Sequence, residues 1–504
     1  MRRESAPIWL GLDLGTQTVR AMAVSETGDV LGLGSQPLTS HREGARHEQE
    51  PEEWWTAAAA ACRAALAGLP RENVRGVAVD ATSGTVLLMD DAGRALTRGL
   101  MYDDTRAIGE VPRVNEAGGA VWRRLGYGRM QAAWGLPKLL WLLREKRGMV
   151  SPTTRVAHQS DFITRRLAGE MVATDTSNAL KTGCDLVAED WPREVFAELG
   201  IPMEMRPPVV RSGSRLGTVC AEADAATGIP AGTPIIAGMT DGCASQIGAG
   251  ALRAGSWNSV LGTTLVLKGV APDLIRDPLG VVYSHRSPDG GWLPGGASSV
   301  GAATTAWGFG GRDLEELSAR AAVLGPADSV AYPLAGRGER FPFHAPEAAG
   351  LFLGEPGDEL DRYAALLQGV AFIERLCFDY LDLLGAPIEG DLRFTGGGAK
   401  SRAWCQLRAD ILGRPVALPE NAEAALGMAV LAASGGRDVA GAAARMVRIR
   451  ETLDPQPERT RTFLAPYLRL VDELARRGWL APGVAAHART RAAEFVDCGA
   501  RSVF

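Results

Sequence analysis

The chain has 504 residues, and its 46% hydrophobic and 22% charged content is that of an ordinary globular protein with ample core. Its length is compatible with about three domains or with two large ones. A formal net charge of -5 argues against a general binder of nucleic acid or anionic membranes, but not against one phosphorylated ligand. The seven cysteines never form a C-x-x-C pair and no run of about 18 apolar residues occurs, so we expect a reduced, cytoplasmic protein without a membrane span.

The first predicted element is an apolar strand that delivers Asp13 and then turns at Gly15–Thr16 before a second strand returns. Backbone N–H groups in a tight turn form a concavity that binds anions, and glycine lets the main chain approach a ligand closely. The stretch is therefore a candidate site for phosphate and a hydrated metal ion. An ordinary edge hairpin with a structural glycine is the alternative.

A second copy of this turn favours the phosphate interpretation. The segment Leu261–Val266 repeats Leu14–Val19 at four of six positions, again between an apolar run and a returning strand. Two such hairpins suggest two related domains, 1–248 and 249–504, that face each other across a nucleotide. A charged tail that is helical in places follows from about residue 440.

Between the two hairpins, the elements read as a third strand at 30–38, a helix opening at Pro51, and a buried strand at 74–80. A polar loop with Thr82 and Ser83 follows that strand. Ligands of open α/β sheets bind at the carboxyl ends of strands, so these hydroxyls are candidates to bond a polyol. A Ser/Thr turn that caps its own backbone is the alternative.

Other charged residues of this half carry a weaker signal. Asp103, Asp104 and Arg106 are interpreted as a solvated loop in preference to a substrate contact, and Lys138, at the start of a predicted helix, as a surface residue.

Asp241 ends the apolar run 233–241 and has a glycine close behind it, as Asp13 does. We expect these two carboxylates to meet at a reaction centre. A role for Asp241 as the N-cap of the helix that follows stays open.

In the second half, the glycines at 295–296 are predicted to open a helix that runs through Trp307, an arrangement that favours phosphate. A long amphipathic helix is predicted at 360–384. The segment 392–401 is predicted to form a strand, a glycine loop and the start of a helix. Neither G-x-x-x-x-G-K-[ST] nor G-x-G-x-x-G occurs, which argues against a P-loop NTPase and a simple dinucleotide dehydrogenase.

Several motifs in a fixed order carry a family resemblance. They are GLDLGTQ at 11–17, PKLLWL at 137–142, AGMTDG at 237–242, LGTT at 261–264, RGERFP at 337–342 and TGGGAKSRAWCQ at 395–406. With them the chain resembles the FGGY family of carbohydrate kinases. The resemblance implies an α/β fold of two actin-like (ribonuclease H-like) ATPase domains with a central cleft.

The resemblance also implies roles for individual residues. Asp13 and Thr16 would form the first phosphate site, with Asp13 near the sugar and holding Mg²⁺ through water. Asp241 would be the general base and lie beside the metal, and Ser83 would bond the sugar. The remaining ATP contacts would come from the second half: Gly262, Thr263 and Gly296 at the phosphates, and Gly397, Gly398, Ser401 and Trp404 around the adenosine.

The implied activity is ATP-dependent transfer of the γ-phosphate to the terminal (5-) hydroxyl of a ketopentose. The loop DATSGTVLL at 80–88, RGERFP and GGASSVGA at 295–302 resemble a D-ribulose kinase more than the Gln-Met-His-Gly loop of xylulose kinases. D-ribulose therefore ranks first, with D-xylulose or another polyol as the alternative and a homodimer left open. An actin- or chaperone-like ATPase and a non-catalytic sugar-binding regulator are the alternatives of other classes.

Overall fold

In the computed structural model of the chain, residues 6–306, 309 and 312–501 are described, with the backbone alone for 496–501. The strands, in chain order, are β1 (Ile8–Leu14), β2 (Thr18–Ser25), β3 (Val30–Pro37), β4 (His41–Glu43), β5 (Arg46–Gln49), β6 (Val74–Ala81), β7 (Val86–Asp90), β8 (Gly99–Leu100), β9 (Thr154–His158), β10 (Thr174–Asp175), β11 (Val209–Val210), β12 (Arg215–Thr218), β13 (Pro234–Ile236), β14 (Trp257–Leu261), β15 (Leu265–Gly269), β16 (Tyr283–Arg286), β17 (Trp292–Ser298), β18 (Val330–Glu339), β19 (Ala345–Leu353), β20 (Leu392–Thr395), β21 (Val416–Pro419) and β22 (Ile449–Leu453).

The α-helices are α1 (Pro51–Ala65), α2 (Val111–Arg124), α3 (Gly135–Glu145), α4 (Gln159–Ala168), α5 (Thr176–Ala179), α6 (Arg193–Glu198), α7 (Ala221–Thr227), α8 (Asp241–Gly248), α9 (Leu314–Ala322), α10 (Glu359–Leu383), α11 (Arg402–Leu412), α12 (Ala424–Ser434), α13 (Val439–Met446), α14 (Pro457–Arg476) and α15 (Pro482–Arg501). Short 3-10 turns lie at Arg71–Asn73, Arg106–Glu110, Arg147–Met149, Leu180–Thr182, Met203–Met205, Ala302–Ala306 and Gly397–Lys400. None of the helices among the described residues is long and apolar enough to cross a membrane.

The chain forms two compact units that are not simply successive in sequence. The first contains the described residues up to Leu252 together with Ser284–Leu293 and Asn421–Arg448. The second contains Arg253–Tyr283, Pro294–Glu420 and the described residues from Ile449 onward.

The first unit is built on a six-stranded sheet in the order β12-β13-β6-β1-β2-β3. β1 pairs antiparallel with β2, which confirms the predicted hairpin, and parallel with β6. Helix α1 lies so close to β3 that a Cβ atom on Gly32 or Gly34 would collide with carbonyl oxygens of the helix. Small residues at those two positions thus set the distance between helix and sheet.

Helix α12 completes the core of the first unit although it lies about 400 residues after β1 in sequence. It packs on β1, β6 and α8. A Cβ atom on Gly11 of β1 would collide with the carbonyl oxygen of Ala425, and one on Gly427 would collide with that of Ala244 in α8. Glycine at these two positions allows the close approach.

A seven-stranded sheet has the order β16-β17-β15-β14-β20-β21-β22. Its β14 pairs antiparallel with β15 and parallel with β20, as β1 does with β2 and β6. This repetition confirms the second hairpin predicted from the repeated Leu-Gly-Thr segment. Strand β17 pairs with β15 as far as Ser298.

Helix α10 is the central helix of the second unit. Its position confirms the predicted long helix at 360–384, but the helix is not amphipathic. Every residue from Tyr363 to Leu381 is buried, because α9, α11, α14, α15 and β18 pack around it. Burial on all sides removes the division into an apolar and a solvated face, and the polar residues of this stretch, such as Glu374 and Arg375, are buried as well.

Candidate active site

Three carboxylates meet at one edge of the six-stranded sheet of the first unit. Asp13 of β1 is the register partner of Asp80 of β6, so the two side chains leave neighbouring parallel strands at the same level. The next residue of β6, Ala81, forms a β-bridge with Thr240, which immediately precedes Asp241. The predicted meeting of Asp13 and Asp241 thus occurs within one unit.

The electrostatics of Asp13 reflect this crowding. Its pKa is raised from 3.8 to about 6, first because of burial, with the charge of Asp241 acting in the same direction. A hydrogen bond from Asp80 and the charge of Arg20, whose Nη1 lies 3.5 Å from Oδ2, act against the shift. The site is therefore one of excess negative charge that a cation would relieve.

Asp80 is the member of this group that the sequence-based reasoning missed. It is fully buried, and burial raises its pKa well above the ordinary value, with the charges of Asp13 and Asp241 adding to the effect. Apart from Asp13, no hydrogen-bond partner reaches its oxygens among the described residues. A protonated Asp80 therefore donates to the Asp13 carboxylate. Its equivalent place at the end of an apolar strand was the signal that could have identified it.

Asp241 is the first residue of α8, and the N-cap position belongs to Thr240. The alternative role of Asp241 as the N-cap is therefore wrong. Its Oδ1 accepts the N–H of Gly242 at 2.7 Å. A carboxylate in the first helical turn is favoured by the helix dipole, which stabilises its ionised, proton-accepting form.

The turn after Asp13 has the geometry of a tight hairpin. The N–H of Gly15 donates to the carbonyl of Thr18 at 3.0 Å, and Thr16 is partly exposed at the tip. The Thr16 carbonyl accepts from Gln49 Nε2 at 2.6 Å, and Trp54 Nε1 donates to Gln49 Oε1 at 2.7 Å. This chain of bonds fixes the backbone of Thr16 at the tip of the turn.

The loop with Ser83 follows β6 at the same edge of the sheet. Thr82 donates its hydroxyl to Gln159 Oε1 at 2.9 Å, which holds the loop against α4. The Oγ atom of Ser83 is buried and has no hydrogen-bond partner among the described residues. The side chain of Lys181 lies beside the loop, where its Cδ would be 3.2 Å from a Cβ atom on Gly84. The unused Ser83 hydroxyl suits the predicted sugar contact.

Two of the four charged residues interpreted from sequence as solvated or surface residues, Lys138 and Asp104, are buried, whereas Asp103 and Arg106 are partly exposed. Lys138 is fully buried and donates from Nζ to the carbonyl of Met101 at 2.8 Å, and burial lowers its pKa to about 7. Asp104 is also fully buried and accepts from the backbone N–H of His47 and from Arg106. Both interpretations were wrong because the partners come from distant parts of the chain.

In the second unit, the hairpin between β14 and β15 repeats the first. The N–H of Gly262 donates to the carbonyl of Thr264 at 3.0 Å, and Thr263 is exposed. The Gly262 carbonyl accepts from Ala302 at 2.9 Å, which anchors the turn. Gly262 and Thr263 thus lie in the predicted turn, and their contact with ATP phosphates stays a prediction.

The glycine loop after β20 differs in part from its predicted role. A Cβ atom on Gly397 would contact nothing within 4 Å, whereas one on Gly398 would press on the side chain of Leu261. Ser401 is the N-cap of α11 and accepts the N–H of Trp404 at 3.3 Å. Trp404 itself is buried in the core and donates from Nε1 to the carbonyl of Leu367 at 3.2 Å. Because the indole is enclosed by protein, the predicted contact of Trp404 with adenosine has no structural support and stays a prediction.

Gly296 is likewise a core residue. The predicted helix from Gly295 is wrong because β17 continues through this segment, where Gly296 pairs with Leu267. Trp307, its predicted end, lies outside the described residues. A Cβ atom on Gly296 would lie 2.7 Å from the ring of Phe341, so a phosphate contact at Gly296 has no structural support.

Comparisons with known proteins place the chain in context. Residues 8–248 match the model of the FGGY family of carbohydrate kinases, N-terminal domain, and residues 255–435 match that of the C-terminal domain. The chain is similar to the xylulose kinase of Klebsiella pneumoniae, with 28% identity over 81% of this chain and 85% of the relative. It is also similar to the xylulose kinase of Bacillus subtilis, with 26% identity over 84% of this chain and 88% of the relative. The crystal structure of xylulose kinase from Rhodospirillum rubrum has 27% identity and a TM-score of 0.84, covering 93% of this chain and 98% of that one.

Proposed function

The chain belongs to the FGGY family of carbohydrate kinases, and we propose that it transfers the γ-phosphate of ATP to the terminal hydroxyl of a ketopentose. Its fold is the two-domain fold of sugar kinases with actin-like ATPase domains, and its class is sugar phosphotransferase. The observation that carries the proposal is the group of Asp13, Asp80 and Asp241 at one sheet edge. The family match gives no support to a chaperone-like ATPase or a silent regulator.

For the substrate, D-xylulose is the first candidate because the similar relatives are named xylulose kinases. D-ribulose, which the sequence motifs ranked first, is kept as second candidate on the loop at Asp80–Gly84. Two of the three ribulose-like motifs give weaker support for D-ribulose, because they bond to each other in the interior of the second unit. Glu339 of RGERFP accepts hydrogen bonds from Ser298 and Ser299 of GGASSVGA. Because these residues satisfy each other's hydrogen-bonding groups, their identity carries little information about a sugar.

In the proposed mechanism, Asp241 accepts the proton of the attacking hydroxyl. Its position at the start of α8 favours the ionised carboxylate that this role requires. Ser83, with an unused hydroxyl at the same edge, orients the sugar. In the first unit, the partly exposed Thr16 offers its hydroxyl and N–H groups to a phosphate, and in the second unit the exposed Thr263 offers the same groups.

The residues present fit a magnesium ion. Asp13 and Asp241 supply hard oxygen ligands, and the raised pKa of Asp13 marks charge that a cation would neutralise. No group of three or more His, Cys, Asp or Glu side chains suited to a metal occurs in the described ranges. Mg²⁺ usually takes one or two carboxylates together with substrate phosphates and water, and Asp13 and Asp241 would supply two. Bound there, the ion would offset the charge of the transferred phosphoryl group.

The test is an ADP-release assay with D-xylulose, D-ribulose, L-ribulose, ribitol and glycerol. We expect one ketopentose to exceed the polyols strongly, since a site built around a given hydroxyl rejects analogues that lack it by roughly 10⁴-fold. Asp241→Asn should lower kcat by at least about 10²-fold while ATP binding stays unchanged. Glu26→Gln, an exposed carboxylate-to-amide change in the same unit, is the control. ADP release that does not depend on any sugar, or full turnover by Asp241→Asn, would contradict the proposal.

A further inference from the structure

A buried hydroxyl connects two polar residues behind the carboxylate site of the first unit. Ser177, in α5, is fully buried. Its Oγ atom lies 3.1 Å from Oγ1 of Thr240 and 3.0 Å from Nδ1 of His285. The backbone N–H of Thr240 also donates to Ser177 Oγ, at 3.1 Å. His285 is buried too, so this group is shielded from water.

The bonding capacity of the Ser177 hydroxyl is fully used. A serine hydroxyl offers one donor and two acceptor positions. The N–H of Thr240 takes one acceptor position. The hydroxyl proton then goes to His285 Nδ1 while Thr240 donates its own hydroxyl to the second acceptor position, or both bonds run in the opposite direction. Either way three bonds converge on one atom, which fixes Ser177 between Thr240 and His285.

The hydroxyl of Thr240 bonds to Ser177 and does not cap helix α8. A threonine at an N-cap normally accepts an N–H of the first turn of the helix with its side chain. Thr240 makes no such bond, because its hydroxyl is directed at Ser177. Only its carbonyl serves the helix, accepting from Cys243 and Ala244 at 2.9 Å each. Ser177 therefore holds both polar groups of Thr240 that are not engaged with α8.

We propose that Ser177 and His285 are positioning residues that set the place of the Asp241 carboxylate through Thr240. The inference rests on the proposed role of Asp241 as the proton acceptor. Asp241 follows Thr240 directly, so a shift of Thr240 is transmitted to the carboxylate with no flexible residue between them. Misplacement of a reacting group by about 1 Å can cost on the order of 10²-fold in rate.

The first experiment removes the central hydroxyl. Ser177→Ala should lower kcat about 10- to 100-fold with KM for ATP changed less than about twofold. Ser212→Ala is the matched control, since the Ser212 hydroxyl is buried but has no hydrogen-bond partner in the part of the chain that the structure describes. Equal effects of the two changes would show that Ser177 acts only through packing, which would overturn the proposal.

The second experiment uses the geometry of the His285 ring. The amide of an asparagine can occupy the place of Nδ1, and that of a glutamine the place of Nε2. Because Ser177 contacts Nδ1, His285→Gln should lower kcat as much as Ser177→Ala does. His285→Asn should retain most of the wild-type kcat. Equal losses in the two variants, or a better rescue by glutamine, would contradict the assignment. This pair keeps the test valid if Ser177→Ala fails to fold.

The third experiment is a double-mutant cycle with Asp241→Asn. If Ser177 acts through Asp241, Ser177→Ala should change the residual turnover of Asp241→Asn by less than about threefold. A full additional loss would show an independent effect and overturn the proposal. The base role of Asp241 and the positioning role of Ser177 can be tested separately. Wild-type turnover by Asp241→Asn would refute the proposed base. Reduced turnover by Asp241→Asn together with wild-type turnover by Ser177→Ala would refute only the positioning role.

Discussion

The carboxylate of Asp13 destabilises the fold that holds it, and asparagine would remove that cost. The folded-state pKa is raised from 3.8 to about 6, with burial as the main cause and the charge of Asp241 second. A shift of about two pKa units corresponds to about 3 kcal/mol. Asp13→Asn should therefore raise the free energy of unfolding of the first unit by about 3 kcal/mol at pH 7.5, while abolishing sugar phosphorylation.

The pH dependence gives this prediction its sign. Because the pKa of Asp13 is higher in the folded state than in the unfolded state, the ionised carboxylate lowers the free energy of unfolding by its full amount above about pH 6. This destabilisation disappears as the pH falls below about 4. The advantage of Asp13→Asn should thus be about half as large at pH 5 as at pH 7.5. The assay is urea unfolding at both pH values in EDTA without nucleotide, with Glu26→Gln as the exposed control. A variant no more stable than wild type, or an advantage that grows as pH falls, would refute the reasoning.

Three further predictions concern residues whose surroundings differ from expectation. Gly296→Ala should destabilise the protein by about 1–3 kcal/mol because its Cβ meets Phe341 at 2.7 Å, with KM for ATP unchanged. A tenfold rise in KM without a change in melting temperature would restore the phosphate role. Trp404→Phe should cost about 1–3 kcal/mol through loss of the bond to Leu367 and leave nucleotide affinity within about twofold, measured by calorimetry. Lys138→Met should be more stable than wild type at pH 6, and the difference should shrink by pH 9, because the lysine pKa is lowered to about 7 and its charged form is the costly one. A gap that widens with pH in thermal unfolding would contradict this.

Those parts of the site that depend on local pattern were predictable from sequence. Asp13 and Asp241 each close an apolar run beside a glycine, and the two Gly-Thr turns share a visible repeat. The predicted strand at 74–80 is β6. Asp80 follows the apolar run of that strand and could have been a candidate on this pattern, but its place beside Asp13 depends on the register of β6 with β1, which no local pattern specifies.

The errors and the unsupported expectations arose where distant segments decide the environment. Lys138 looks exposed on its own helix, yet its partner carbonyl at Met101 comes from 37 residues earlier. The glycines at 295–296 were predicted to open a helix, but pairing with β15 makes this segment a strand. Trp404 follows a glycine loop and so suggested a ligand contact, whereas the packing of α10 and α11 encloses it. In each case tertiary contacts outweigh local preference.

The return of α12 to the first unit has a consequence for biosynthesis. The surfaces of β1, β6 and α8 that it covers are complete once residue 252 has been made, but their cover is only translated about 170 residues later. During that interval the nascent chain presents an unfinished apolar face, and domains normally fold as they emerge from the ribosome. A fragment ending at Leu252 should therefore depend on chaperones or aggregate, and supplying Asn421–Arg448 as a separate peptide should render it soluble.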